Sequence, residues 1–157
     1  MAEKAKVSGS VVAGFPSPTE QYQEQALDLN ELLVRRPAAT FFVKVQGDSM
    51  TGAGIRDGDL LVVDRSFRPA SGDVIIACVD GEFTVKTLRL GNGERNRPLR
   101  GFATHGEANT PSEASAEGMG NGEVRLVAAN PNYPDIVLKP GQELDYFGKV
   151  TACIHRF

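Results

Sequence analysis

The sequence predicts a mainly β domain whose short strands curl into one sheet, carrying a flexible N-terminal arm and one short helix. Three observations lead there. Runs of β-branched and aromatic residues, such as Thr40–Val45, Leu60–Val63 and Val74–Val79, recur along the chain. Turn-forming Gly, Pro, Asn and Asp separate them at close intervals. Only Asp28–Arg36 reads as helix. At 157 residues the chain has the length of one ordinary domain with one core. We divide it into an arm, 1–26, and a β body, 27–157.

Taken in order, residues 1–10 are polar and without period, which predicts a disordered or loosely docked arm. In Val11-Val12-Ala13-Gly14-Phe15-Pro16-Ser17-Pro18, two β-branched residues favour an extended approach. Ala13-Gly14 is slim, and Pro16 and Pro18 hold the exit away from helix. Such a stretch suits a segment that must enter a narrow cleft, but on local sequence alone a plain linker is the preferred reading. Asp28 or Asn30 can cap the helix, Arg35 and Arg36 fall at its end, and Pro37 stops it. Its apolar residues are expected in the core. Thr40–Val45 is a strand ending at the Gly47 break. Leu60-Leu61-Val62-Val63 is a continuous apolar run and so a strand buried on both faces. Val74–Val79 and Glu82–Leu90 flank Asp80-Gly81, a two-residue hairpin signal.

Residues 91–123 break the pattern. They are rich in Gly, Ser, Asn, Ala and Glu and include His105, Arg95, Arg97 and Arg100, which read as a mobile hairpin-tip insertion with solvated charges. Strands resume at Glu123–Ala129 and Ile136–Leu138. Leu144–Phe147 and Gly148–Ile154 read as two more.

Composition narrows the function. A net charge of −3 with no basic block argues against direct nucleic-acid binding. The N-terminus lacks an apolar signal region, and no run approaches membrane-spanning length. We expect a soluble, cytoplasmic protein that engages no membrane. Cys78 and Cys153 sit in apolar runs and read as reduced core thiols, and His105 and His155 are the only histidines. No metal or cofactor is expected.

The chemistry concentrates at two places. Ser49 stands at a Gly-marked turn after a strand, and Gly47 permits backbone angles that aim the next side chains out of the sheet. Lys86 lies in a strand-forming run, on one face with Thr84, Leu88 and Leu90 by the period of two. A lysine there either reaches water at a sheet edge or is buried and strongly perturbed. If desolvated and neutral, it can serve as the base a serine needs to become a nucleophile. That pair would form a Ser–Lys dyad able to cut a peptide bond.

Five stretches, collinear over about residues 11–90, carry a family resemblance, which resumes over 123–150. They are Gly14-Phe15-Pro16-Ser17-Pro18, Asp28-Leu29-Asn30-Glu31-Leu32-Leu33, Gly47-Asp48-Ser49-Met50, Asp57–Asp64 and Asp80–Lys86. Together they resemble the LexA/UmuD-type self-cleaving Ser–Lys peptidases, whose domain is a LexA/signal-peptidase-like curled β-sheet. The resemblance implies Ser49 as nucleophile and Lys86 as general base. It implies the backbone N–H groups of Ser49 and Asp48 as oxyanion hole, and Ala13-Gly14 as the scissile bond. It also implies a RecA–single-stranded DNA filament as co-protease. The trimmed homodimer would then be the accessory subunit of a UmuC-type Y-family translesion polymerase in the SOS response. The arm is shorter than the family's, and the 91–123 insertion departs from its compact pattern.

Other readings compete. A LexA-like or phage-type repressor would need a helix-turn-helix before the cut, and thirteen residues cannot hold two helices, with Met1 read as the natural start. A type I signal peptidase would need a membrane anchor or an exported setting. A catalytically silent polymerase-binding module stays open until activity is measured.

Overall fold

The computed structural model of the chain describes residues 5–7, 25–91, 123–139, 142 and 144–157. Seven strands form one antiparallel sheet: β3 (Thr40–Lys44), β4 (Leu60–Asp64), β5 (Val74–Val79), β6 (Glu82–Leu90), β7 (Val124–Val127), β8 (Ile136–Val137) and β9 (Leu144–Ile154). Their order is β3-β4-β9-β5-β6-β7-β8. The mainly β class holds. The sheet is open, because its first and last strands do not pair with each other.

The apolar run of β4 lies between β3 and β9, and Leu61, Val62 and Val63 are fully buried as a two-sided strand requires. Alternation along β5 builds two cores. Ile75 and Ala77 join Leu88, Leu126 and Tyr146, while Ile76 joins Val45, Met50, Ile55, Leu61 and Val63. The β5–β6 hairpin turns at Asp80 (φ 51°) and Gly81 (φ 87°), the double left-handed geometry that Asp-Gly favours.

Four expectations need correction. The last two expected strands are one, β9, which pairs with β4 on one side and β5 on the other, with register shifts in both ladders. Gly148 reads as a break in sequence but serves a close approach, since a Cβ there would stand 2.5 Å from Val63 Cγ1. The helix α1 is only Leu29–Leu33, capped by Asp28 Oδ1, which accepts the Asn30 N–H at 2.9 Å. Arg36, just before Pro37, is already out of the helical region at φ −133° and ψ 85°, so Arg35 and Arg36 follow the helix rather than closing it. With so short a helix Leu29 (54% exposed) and Leu32 (55%) stay at the surface, not in the core. Of the two thiols, Cys78 is half-buried, but Cys153 is exposed near the end of β9.

The arm also holds structure that its polar sequence did not suggest. Ala5–Val7 (β1) pairs antiparallel with Gln25–Leu27 (β2), from Ala5↔Leu27 to Val7↔Gln25. A ladder this short depends on main-chain groups and leaves no apolar period to read. Ala13 and Gly14 fall between β1 and β2 in sequence, outside the described residues, as do residues 92–122 of the expected insertion. At the base of that insertion β6 pairs with β7, and the Gly91 N–H donates to Glu123 O at 2.8 Å.

Candidate active site

The turn after β3 is fixed on several sides. Val45 donates to Asp59 O at 2.8 Å and accepts from the Gly58 N–H at 3.0 Å, which ties the strand end to the approach of β4. Gly47 takes φ +89°, and its N–H donates to Asp57 Oδ1 at 2.7 Å. Asp48 and Ser49 follow, and Met50 (2% exposed) then drops into the second core. Ser49 is thus held between an anchored strand and an anchored apolar side chain, itself half-buried.

A brace arrives from far along the chain. Beyond β7, Ala129 O accepts the Gly52 N–H at 2.6 Å. Asn130 Nδ2 donates to Asp48 O at 3.0 Å, and Tyr133 Oη donates to Asp48 Oδ1. The two main chains lie so close that a Cβ on Gly52 would collide with Ala129 O.

Lys86 sits in β6, a strand flanked by β5 and β7, and is only 7% exposed. Of the two environments open to this lysine, the structure has the buried one. Its Nζ lies 2.8 Å from Ser49 Oγ, 3.0 Å from Thr84 Oγ1 and 3.1 Å from Val85 O. Burial pushes Lys86 below the ordinary lysine range, because desolvation disfavours the ammonium. A carbonyl oxygen can only accept, so an N–H of Lys86 goes to Val85 O, and Nζ also donates to Thr84 Oγ1 and to Ser49 Oγ.

Ser49 borders a cleft of about 270 Å³ lined also by Val43, Val45, Met50, Ile76, by Thr84 and Val85 just before Lys86, and by the exposed ring of Phe83. Its walls are mostly apolar, a setting that disfavours a charged amine. Among the described residues no acceptor takes the backbone N–H of Asp48 or Ser49.

A second polar cluster stands apart from the cleft lining. The buried Asp59 accepts from the Arg56 N–H at 2.7 Å, meets His155 Nδ1 at 2.6 Å and accepts from Cys153 Sγ at 3.3 Å. The Arg56 N–H and then His155 hold its carboxyl below the usual range, while burial and Asp59 push the Cys153 thiol up to about 11. Nothing here is an activated thiol. Among the described residues no group of three or more His, Cys, Asp or Glu is arranged to hold a metal, and no helix is long and apolar enough to cross a membrane.

Ser49 and Lys86 are therefore brought together, and Asp48 stands beside them. Sequence reasoning passed over Thr84, Asn130 and Tyr133. Thr84 had a signal, its place two residues before Lys86 on one face. Asn130 and Tyr133 had none, because 82 and 85 positions separate them from Asp48.

Comparison with known proteins agrees with this architecture. The profile of the Peptidase S24-like family matches residues 6–97. Protein SamA of Salmonella typhimurium is 44% identical over 144 residues, 92% of this chain and 79% of that one. Protein ImpA of Shigella flexneri is 60% identical over 78 residues, 50% of this chain and 54% of that protein. The LexA repressor of Alcanivorax borkumensis is 44% identical over 89 residues, 56% of this chain and 43% of the repressor. The matched region thus spans about half or less of ImpA and the repressor.

Proposed function

The chain belongs to the Peptidase S24-like family, of LexA/UmuD type, and from that premise we propose that it cleaves itself between Ala13 and Gly14. The observation that carries the proposal is the buried Lys86 amine 2.8 Å from Ser49 Oγ. Lys86 takes the Ser49 proton as Oγ attacks the Ala13 carbonyl carbon. The oxyanion that forms is met by the N–H groups of Ser49 and Asp48. Collapse breaks the C–N bond, and Lys86 hands its proton to the departing Gly14 amine. Water, deprotonated by the same lysine, then releases Ala13 from Ser49. Thr84 and Val85 O keep the amine aimed throughout.

An apolar cleft and a neutral base are needed for this, so the reaction waits on closure by the cleavage segment. We propose that a RecA–single-stranded DNA filament promotes that closure as part of the SOS response. The product, Gly14 to Phe157, acts as a homodimer with a UmuC-type Y-family polymerase in translesion synthesis. Support for the wider role lies in the similarity to SamA over 92% of this chain and to ImpA over half of it.

The test is to incubate the purified chain at neutral pH with assembled filament and to sequence any product from its N-terminus. A product beginning at Gly14, dependent on filament, Ser49 and Lys86, is expected. A chain left whole by active filament would overturn the co-protease role.

A further inference from the structure

We infer that Tyr133 is a positioning residue for this reaction, holding the Asp48 carboxylate off the Ser49–Lys86 pair and so setting the pH range in which the pair works. The inference rests on the dyad reading and adds to it a residue 85 positions from Asp48.

Asp48 is an awkward neighbour. It precedes the proposed nucleophile and offers its N–H to the oxyanion, yet it carries an acidic side chain. A free carboxylate beside that site would repel the developing oxyanion and favour the ammonium form of Lys86. Something has to keep it turned away. Tyr133 Oη donates to Asp48 Oδ1, while Asn130 Nδ2 (3.0 Å) and the Thr51 N–H (3.3 Å) hold the Asp48 carbonyl.

Tyr133 is delivered on a rigid turn. Asn130 is 9% exposed, its Oδ1 accepts the Asn132 N–H at 3.0 Å, and its carbonyl accepts the Tyr133 N–H at 3.0 Å. The turn follows Ala129, which is itself bonded to Gly52 in the serine turn. One segment therefore grips both the main chain and the side chain around the nucleophile.

The charges around Lys86 fit this reading. From β3 the basic side chain of Lys44 lines the cleft, while Thr84 and Val85 from β6 and Ile76 from β5 carry no charge. Asp80, in the β5–β6 turn, accepts from Gln142 Nε2 at 2.6 Å. Asp48 adjoins Ser49 in the chain, Asp57 is engaged by the Gly47 N–H at 2.7 Å, and burial is the cause that lowers Lys86. In return Asp48 raises the Tyr133 phenol above its ordinary value, so the donor keeps its proton into the alkaline range.

The experiment measures self-cleavage rate against pH, by intact mass, for the full-length wild type, Tyr133→Phe, Asp48→Asn and the double variant. In Tyr133→Phe the loosened carboxylate stabilises the ammonium, so the rise in rate moves to higher pH. A shift of at least about half a unit is expected, roughly a threefold loss at a fixed pH on the rising limb. Asp48→Asn in the same background removes the charge and should return the midpoint to the wild-type position. Slower cleavage with an unmoved midpoint would make Tyr133 merely structural and overturn the inference, as would an unchanged profile. Either result beside a wild type that cuts through Ser49 and Lys86 leaves the dyad standing. A wild type that never cuts removes both.

Discussion

Lys86 is the residue on which the chemistry depends, and its burial has a measurable consequence for stability. Its folded pKa is lowered from the ordinary 10.5. Between the folded value and the unfolded one, the unfolded chain binds a proton that the folded chain does not. Stability therefore rises with pH across that window, and below it the buried ammonium is a constant cost. Lys86→Met, which keeps the length and drops the charge, should melt at a higher temperature than wild type at pH 7. It should also lack the alkaline rise; equal melting temperatures at every pH would contradict the burial argument. Thr84→Val tests the aim of the same amine. It leaves one N–H without its acceptor at 3.0 Å, and cleavage should fall about tenfold with the fold intact. The Ser49–Lys86 juxtaposition was legible because each signal is local: a glycine before a serine, and a lysine where strand formers belong. Ala13 and Gly14 had no such local signal: their stretch reads as a plain linker, and only the family resemblance marked them as a scissile bond.

At the scale of elements, the serine turn works because two segments far apart in sequence meet at Gly52 and Ala129. Gly52→Ala would force a methyl into Ala129 O, so the turn and its brace must separate. We expect a loss of about 1–3 kcal/mol in denaturant unfolding, together with slower cleavage. The strands β3 to β6 were legible almost to the residue, since period, β-branched content and turn chemistry agree there. The brace was not, because Asn130-Pro131-Asn132-Tyr133 reads as an ordinary turn until the fold sets it against Asp48. The length of α1 was overread for a related reason. A cap and a terminal proline bound a helix without saying how many turns lie between them. In β9 the glycine that looked like punctuation is a packing position against Val63.

For the whole molecule, the sheet joins the two cores through β9, and Asp59 ties the end of that strand to the start of β4. Its carboxyl is held low by the Arg56 N–H and by His155. A carboxyl lowered on folding stabilises above its ordinary value of 3.8, and that contribution fades as pH falls through the folded value. Asp59→Asn should therefore lower the melting temperature at pH 7 and flatten the acid limb of the stability profile. The fold class was legible from strand spacing and turn residues, whereas the openness of the sheet depends on which strands meet, a long-range matter that local pattern does not carry. The central claim, a buried lysine activating Ser49 against the chain's own Ala13–Gly14 bond, has one direct measurement. Near pH 10 solvent itself neutralises part of a lysine population whose ordinary pKa is 10.5, so cleavage should proceed without any filament. Intact mass before and after such incubation should show loss of residues 1–13 in the wild type and none in Ser49→Ala or Lys86→Ala. An unchanged wild-type mass, or the same cut in either variant, would contradict the account.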